Sequence, residues 1–303
     1  MSRTHVILVT HTADRLRRTL LGVACQSKAP DTVVVSCDSD HPSIRDAVQA
    51  ACNEFGLTVR LILRAKCEHA RAAQVRNNGV RELLAHGAQP GDAVIYLDGD
   101  CVPERDLAKK HAAALRKGQM VLGGRYEMTP DQDAAFDETA LRQGNLPITP
   151  TPEQGQALAS RRARLVRQAR LRRFGLARLG LVKPHKPKLL VGASSFTLEA
   201  LCAVNGMDET YVQWGQEDDD LARRIYQWGG KPVVVVGDVH TFHQYHTTRA
   251  PGDWHQSPNA KRLAEPAPTR CELGIDNPMP QPEPMAQVLV PGAGSAARPA
   301  AAQ

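Results

Sequence analysis

Two aspartates separated by one glycine follow an apolar run of the chain. Residues 94–97, Val-Ile-Tyr-Leu, lead directly into Asp98, Gly99 and Asp100. Side chains alternate along a strand, so we expect both carboxylates on one side, at the strand end where α/β sheets bind ligands. Neighbouring carboxylates repel each other unless a cation lies between them, and carboxylates with substrate phosphates commonly hold Mg²⁺ or Mn²⁺. The alternative is a solvated turn, because Asp-Gly also favours turns.

Four consecutive acids form a second cluster of candidate residues. The acids at 217–220 follow Trp214, Gly215 and Gln216 and precede a helical pattern. Acidic side chains suit the start of a helix, but four of them exceed what capping needs. One of them, held near a hydroxyl, has the chemistry of a general base. The alternative is a solvated acidic helix start.

Histidines close to residue 240 form a third group. The segment 241–246, Thr-Phe-His-Gln-Tyr-His, contains His243, and His240 and His255 lie nearby. A neutral imidazole is a good ligand for a divalent transition metal, although a lone histidine is more often structural. Spacing alone does not select one of these histidines.

Periodicity along the chain predicts a doubly wound α/β fold. Apolar runs typical of strands buried on both faces alternate with helical patterns, which indicates βαβ units. The predicted strands are residues 4–10, 32–37, 58–63, 93–97, 120–124 and 232–236, with structure resuming at 191–198. The predicted helices are residues 14–26, 42–55, 68–86, 157–182 and 221–227, and residues 129–152 are predicted to be a loop.

The positive charge of the chain is concentrated in one segment. The net charge is +6, yet residues 154–198 contain eleven Lys and Arg and no acid, so the rest of the chain is acidic. This distribution argues against a protein whose whole surface binds nucleic acid. The basic segment, residues 157–188, is either a solvated helix or a contact for anionic partners.

Other features of the sequence indicate the cellular compartment and the absence of particular kinds of segment. Seven widely spaced cysteines without a CxxC pair argue against a disulfide scaffold and favour a reducing compartment. No apolar run is long enough to span a membrane, and the run at residues 6–9 is too short for a secretory signal. Residues 249–303 hold ten of the 21 prolines, which predicts a disordered tail.

The order of these motifs resembles that of family 2 glycosyltransferases, and the second half of the chain is similar to the C-terminal part of galactosyltransferases and chondroitin or hyaluronan polymerases. The resemblance covers residues 4–246. The stretches that carry it are 10–20, 33–40, Ala-Gln-Val-Arg-Asn-Asn-Gly at 73–79, Asp-Gly-Asp at 98–100, 191–196 with 205–209, Trp-Gly-Gln-Glu-Asp-Asp-Asp at 214–220, and Phe-His-Gln at 242–244.

The resemblance implies an α/β fold of the GT-A type, with a doubly wound, mostly parallel central sheet and helices on both faces. It implies a nucleotide-sugar-binding half at residues 1–127 and an acceptor-binding half at 128–248, which includes the basic insertion. It also implies a role for each of ten residues: nucleoside binding for Thr10 and Asp38, nucleotide contact for Arg76, metal–diphosphate binding for Asp98, metal ligation for Asp100 and His243, sugar contacts for Trp214 and Gly215, acceptor binding for Glu217, and general-base catalysis for Asp218.

The implied reaction is the inverting, metal-dependent transfer of a hexose from a nucleotide diphosphate, with UDP favoured. The cofactor would be Mn²⁺ or Mg²⁺, and the acceptor a hydroxyl of a saccharide or of a lipid-linked molecule, as in polysaccharide biosynthesis. We expect a cytoplasmic protein, with residues 157–188 as a peripheral contact with the inner membrane face, and no nucleic-acid partner.

Two other functions stay open at this point. A sugar nucleotidyltransferase would have a similar sheet, but such enzymes usually carry a glycine-rich loop after the first strand, and residues 10–13, Thr-His-Thr-Ala, contain no glycine. A non-catalytic module could use its basic helix to bind anionic lipid or another polyanion.

Overall fold

An eight-stranded mixed sheet forms the centre of the molecule. The computed structural model describes residues 2–173, 189–213, 215–247 and 257–292. The strand order is β11-β3-β2-β1-β4-β8-β6-β9. These strands are β1 (Thr4–Thr10), β2 (Thr32–Cys37), β3 (Val59–Leu63), β4 (Ala93–Asp98), β6 (Met120–Leu122), β8 (Ala193–Thr197), β9 (Pro232–Val234) and β11 (Met285–Leu289).

Four neighbouring strands of this sheet, in the order β3-β2-β1-β4, are parallel, as their apolar sequences predict. Strand β1 lies between β2 and β4, β3 continues beyond β2, and all four run in the same direction. Strand β8 is antiparallel to both β4 and β6, while β6 and β9 are parallel. Strands from residues 1–127 and from 128–248 therefore share one sheet, and the division of the chain into two functional halves stays a prediction.

Helices flank the sheet and bury their apolar sides against it. Helix α3 (Ala72–Ala85) packs on β1 and β2, α2 (Pro42–Phe55) on β3, and α4 (Leu107–Leu115) on β4, β6 and β8. The remaining helices are α1 (Leu16–Ala24), α5 (Pro130–Ala134), α6 (Glu138–Gln143), α7 (Pro152–Arg173), α8 (Leu198–Ala203), α9 (Glu217–Trp228) and α10 (Pro258–Ala264).

A small second sheet lies at the end of β4. Its order is β5-β10-β7, with β5 at Cys101–Pro103, β7 at Arg125–Glu127 and β10 at Thr241–His243. Strand β5 follows the Asp-Gly-Asp motif immediately. The register places His243 opposite Cys101 on one side and opposite Glu127 on the other. Three segments that are distant in sequence therefore meet at the carboxyl end of β4.

The loop predicted for residues 129–152 is wrong, because the segment contains α5 and α6. Local capping explains both short helices. Thr129 and Gln132 form a reciprocal capping box at the start of α5, and the Asp137 carboxylate accepts two backbone N–H groups at the start of α6. Helix α7 also begins earlier than predicted, at Pro152, and its predicted continuation over residues 174–182 lies outside the described residues.

The predicted disorder of residues 249–303 is wrong for residues 257–292. These residues form α10 and β11, and β11 pairs antiparallel with β3 at the edge of the sheet. Polar side chains of the body hold the segment by its backbone carbonyl groups, with Arg223 donating to Leu263 and Arg81 donating to Ile275. Composition predicts whether a segment can form its own core, but these contacts come from the rest of the protein.

Among the described residues, no helix has both the length and the apolar character that crossing a membrane requires.

Candidate functional site

Asp100 and two histidines form a cluster with metal-binding chemistry at the junction of the two sheets. His243 Nε2 lies 3.4 Å and His246 Nε2 lies 3.2 Å from Asp100 Oδ2. Ligand atoms of the three residues all lie within 4.8 Å of one another. Asp98, Asp100 and Cys101 form an overlapping group by the same measure. Two imidazoles and carboxylates suit a divalent transition metal better than Mg²⁺, which takes oxygen ligands.

The electrostatics of this cluster are those of close, opposite charges. Burial opposes ionisation of Asp100, but the hydrogen bond and charge of His243, with Arg125 and His246, lower the pKa of Asp100 to about 2. Burial also disfavours a charged His243, yet its hydrogen bonds to Asp100 and Glu127 raise the pKa of His243 to about 9. Cation binding at this cluster therefore competes with a proton on His243.

The backbone fixes the position of His246. Gln244, which is buried, donates its backbone N–H to the Asp100 carbonyl at 2.9 Å, and its side chain donates to the Arg15 carbonyl at 2.9 Å. These bonds keep the chain beside the Asp-Gly-Asp motif where β10 ends. His243, at the end of β10, and His246, three residues later, therefore face the same carboxylate.

Arg76 connects the first aspartate to the acidic helix start. Arg76, on α3, places Nη2 2.8 Å from Asp98 Oδ1 and Nη1 3.5 Å from Glu217 Oε1. Burial disfavours the charged guanidinium, but the carboxylates of Asp98, Asp218 and Glu217 raise the pKa of Arg76. A second cation, Arg125, has Nη1 3.6 Å from Asp98 Oδ2. Asp98 is thus balanced by two arginines, whereas Asp100 faces imidazoles.

Asp218 has one free oxygen that is shielded from solvent. The backbone N–H of Val191 donates to Asp218 Oδ2 at 3.0 Å, and Oδ1 is buried with no hydrogen-bond partner. Burial and the charge of Glu217 raise the pKa of Asp218, although Arg76 opposes the shift. Burial also raises the pKa of Glu217, again against Arg76. A carboxylate with a raised pKa and a free oxygen has the properties of a general base.

The segment at Val191 and Gly192 touches both acidic groups. Val191 binds Asp218, and a Cβ added to Gly192 would lie 2.1 Å from Asp98 Oδ2. Real Cβ atoms do not approach an oxygen so closely. The absence of a side chain at Gly192 therefore lets the Asp98 carboxylate pack against the backbone that holds Asp218.

The other two acids of the cluster have different environments. Asp219 Oδ1 accepts the backbone N–H of Leu189 at 3.1 Å. Asp220 is 1% exposed and pairs with Arg223 and with Arg224, whose Nε lies 2.7 Å away. Asp220 is therefore part of a buried ionic network, and the four adjacent acids do not share one role.

Four predicted site residues remain. Thr10, at the end of β1, uses its hydroxyl in hydrogen bonds with the backbone of Thr12. Asp38, just after β2, binds the buried Arg64 and accepts the backbone N–H of Arg71 at 2.9 Å. Gly215 has a positive φ of 102°, which favours glycine. Trp214 lies outside the described residues.

The basic helix α7 reaches the edge of the site. Burial and the positive charges of Arg164 and Arg125 lower the pKa of Arg161 to about 10, while Asp219 and Asp218 act in the opposite direction. Arg161 therefore lies within the electrostatic field of the acidic helix start. Helix α7, which contains the described part of the basic segment, is therefore not separate from the site.

Comparison with known proteins agrees with the fold described above. Residues 181–249 match the family described as the N-terminal domain of galactosyltransferase. The solved structure of GalNAc-T7 with UDP, GalNAc and Mn²⁺ is similar over 87% of this chain and 48% of that chain, with a TM-score of 0.54 and 17% identity. The chain has the GT-A glycosyltransferase fold with a galactosyltransferase-like segment.

A second structure with the GT-A fold is S. aureus TarS, residues 1–349, in complex with UDP-GlcNAc. It is similar over 86% of this chain and 65% of that chain, with a TM-score of 0.50 and 15% identity. The chain thus spans less than two thirds of the length of either structure. No protein in the curated sequences matches this chain.

Sequence analysis does not indicate three residues of the candidate site. His246 contacts Asp100, Glu127 contacts His243, and Arg125 contacts Asp98. For His246, the sequence does contain a signal, which is its spacing of three residues from His243. No sequence pattern indicates Glu127 or Arg125, because only the pairing of β7 with β10 brings these two residues to the site.

Proposed function

We propose that this protein is a metal-dependent inverting glycosyltransferase that moves a hexose from a nucleotide diphosphate to an acceptor hydroxyl. The observation that carries the proposal is the convergence of Asp100, His243 and His246 beside Asp98, which Arg76 links to the acidic start of α9. The GT-A fold and the galactosyltransferase-like segment support the same reaction class. UDP is the favoured nucleotide because the similar GalNAc-T7 and TarS structures hold UDP and UDP-GlcNAc.

Asp100, His243 and His246 are the proposed metal ligands, and Asp98 the carboxylate next to the donor diphosphate. The ion would be Mn²⁺, with Mg²⁺ as the alternative, and it supplies positive charge to the departing diphosphate. Arg76 Nη2 lies 2.8 Å from Asp98 Oδ1, and Arg125 Nη1 lies 3.6 Å from Asp98 Oδ2. We propose that these two contacts orient the Asp98 carboxylate, so that the metal cluster retains its geometry.

Asp218 is the proposed general base. Its Oδ1 has no hydrogen-bond partner and so has a lone pair for the proton of an acceptor hydroxyl, which must displace the groups that bury this oxygen. That hydroxyl oxygen forms the new bond to the anomeric carbon as the bond to the diphosphate breaks, and one base suffices because no covalent intermediate forms. Glu217, beside it, would bind the acceptor, and Trp214 with Gly215 would contact the sugars.

Thr10 and Asp38 remain proposed nucleoside contacts. Both lie at the carboxyl ends of neighbouring parallel strands, and the Asp38 backbone N–H donates to the Thr10 carbonyl at 2.9 Å. The Asp38 carboxylate already binds Arg64 and the backbone of Arg71. Asp38 would therefore contribute to nucleoside binding mainly by shaping the pocket for the nucleobase.

Hydrolysis of nucleotide sugars tests the reaction class without a known acceptor. Purified protein is incubated with a panel of UDP-, GDP- and dTDP-sugars and Mn²⁺, and release of the nucleotide is measured. We expect slow hydrolysis of a UDP-hexose that stops after exhaustive EDTA treatment and returns with Mn²⁺. Release of pyrophosphate from a sugar phosphate and a nucleoside triphosphate would instead support a nucleotidyltransferase.

A basic cleft supports a contact with anionic lipid at a membrane surface. The cleft, of about 1090 Å³, lies between α7, α9 and β9 and is lined by apolar groups such as Tyr226 and Val233. Four basic side chains line it against the one carboxylate of Glu265, and they are Lys117, Arg170, Arg172 and Lys231; a fifth, Arg223, is buried and paired with Asp220. We propose that this cleft holds the protein at the cytoplasmic membrane face, close to a saccharide or lipid-linked acceptor.

Vesicle binding tests this contact. The double variant Arg170→Gln, Lys231→Gln removes two cations from the cleft. The control double variant Arg164→Gln, Arg167→Gln removes two exposed cations of α7 that do not line the cleft. On vesicles of phosphatidylcholine with phosphatidylserine, we expect the first pair to weaken binding about tenfold or more and the second pair to weaken it less. Equal losses would indicate a non-specific basic surface, and no binding by the wild type would remove the proposal.

A further inference from the structure

Glu127 contacts the nitrogen of His243 that faces away from Asp100. Strand β7 pairs in parallel with β10 and places Glu127 opposite His243. The distance from His243 Nδ1 to Glu127 Oε2 is 2.7 Å, and the distance from His243 Nε2 to Asp100 Oδ2 is 3.4 Å. The two nitrogens of one imidazole are thus assigned to two different carboxylates.

The Glu127 carboxylate is held on its other oxygen as well. Arg125 Nε lies 2.6 Å from Glu127 Oε1, and Arg125 Nη1 lies 3.6 Å from Asp98 Oδ2. Arg125 and Glu127 are two residues apart on β7, so their side chains leave the strand on the same side. This arrangement gives the carboxylate one orientation toward His243.

The contact between Glu127 and His243 contributes little to the stability of the fold. The Glu127 side chain is 61% exposed, and exposed ion pairs contribute little to folding because water screens them. His243, by contrast, is 14% exposed and lies in the candidate metal cluster. The consequence of the contact is therefore the orientation of the imidazole.

We propose that Glu127 is a positioning residue for the metal site. This inference rests on the metal site of the proposed function. Glu127 accepts a hydrogen bond from the N–H group at His243 Nδ1, and this leaves the lone pair of Nε2 directed to an ion at Asp100. Metal-bound histidines usually donate their second N–H to a carboxylate or carbonyl group, and loss of that partner typically costs about 10–100-fold in metal affinity or activity.

A second carboxylate–imidazole pair in the same region provides a matched control. His240 Nδ1 lies 2.8 Å from Glu104 Oε2, close to where β5 ends and β10 begins. Among the described residues, neither His240 nor Glu104 belongs to a group with metal-binding geometry. Glu104 therefore reproduces the chemistry of Glu127 without the metal cluster.

The experiment measures Mn²⁺ binding to the full chain without any nucleotide, from the EPR signal of free Mn²⁺. We expect Glu127→Ala to raise the Mn²⁺ dissociation constant about 10–100-fold. Glu127→Gln keeps a hydrogen-bond acceptor and should lose less affinity, and it serves if the alanine variant folds poorly. Glu104→Ala should bind Mn²⁺ with an affinity close to that of the wild type.

A spectroscopic readout separates positioning from a general loss of structure. Pulsed EPR of bound Mn²⁺ detects the nitrogen of coordinated imidazoles. At saturating Mn²⁺ we expect Glu127→Ala to lose the coupling of one of the two imidazoles, because His246 is still a ligand, while its melting temperature stays close to that of the wild type. Unchanged affinity and coupling in Glu127→Ala, or an equal loss in Glu104→Ala, would overturn the inference. Failure of the wild type to bind Mn²⁺ would instead overturn the metal site itself, and the inference with it.

Discussion

Val191 donates its backbone N–H to Asp218 Oδ2 at 3.0 Å, and this bond determines which oxygen of Asp218 is free. Oδ1 is left buried with no hydrogen-bond partner. The next residue, Gly192, has no side chain and so leaves room for Asp98. A two-residue segment before β8 therefore positions the proposed base and the first carboxylate of the metal motif relative to each other.

Replacement of Asp218 tests its role as the base. Asp218→Asn keeps the size of the side chain and removes its ability to accept a proton as a carboxylate. We expect turnover to fall about 10²–10⁴-fold, the range for general-base catalysis, while binding of the nucleotide-sugar donor is retained. Turnover is measured by nucleotide release and donor binding by calorimetry. Turnover close to that of the wild type would exclude Asp218 as the base.

The raised pKa of Asp218 predicts opposite effects of pH on activity and on stability. The base must be ionised, so kcat/KM should rise with pH through the raised pKa. A carboxyl whose pKa is raised in the folded state favours folding below its ordinary pKa and loses this contribution as pH rises through the raised value. Asp218→Asn should therefore reduce the loss of thermal stability on going from pH 5 to pH 9. A wild-type activity profile that falls over this range would contradict the assignment.

Gly192→Ala tests the contact between the two acidic groups. The new Cβ would lie 2.1 Å from Asp98 Oδ2, so the carboxylate or the backbone must move. We expect a large loss of activity and weaker Mn²⁺ binding. Gly155→Ala is the control, because nothing lies within 4 Å of the added Cβ at this position in α7. An active Gly192→Ala variant would show that the position of Asp98 is not critical.

Asp220→Asn tests the division of roles within the acidic cluster. Removing one partner of a buried ion pair typically costs about 3–5 kcal/mol, and Arg223 and Arg224 would both be left with an uncompensated charge. We expect the main effect on the free energy of unfolding, measured by urea denaturation. Exposed Asp131→Asn, on α5, should change it little. Full stability in Asp220→Asn would place Asp220 with the functional acids instead.

Much of the fold follows from local sequence patterns. Strands β1, β2 and β4 and helix α2 are continuous apolar runs or regular amphipathic patterns, and their ends agree closely with those predicted from the sequence. Helices α5 and α6 are short, and their caps rather than a long period define them. Strand β11 depends on its pairing with the β3 edge, which no local pattern encodes.

The site shows the same division between local and long-range information. Asp98 and Asp100 stand out because they end a buried strand, and His243 because it follows the last predicted strand and matches a family motif. The contact of Glu127 with His243 comes only from the register of β7 with β10. The different environments of Asp218 and Asp220 depend on which side of α9 meets Val191 and which side meets the arginines.

The most direct test of the central claim is nucleotide-sugar hydrolysis by the wild type and by a His243→Ala, His246→Ala double variant, each titrated with Mn²⁺. The account predicts that the wild type hydrolyses a UDP-hexose only when Mn²⁺ is present. The double variant should bind Mn²⁺ at least tenfold more weakly and lose most of this hydrolysis, because two ligands of the cluster are gone. Equal, metal-independent rates for both proteins would contradict the account.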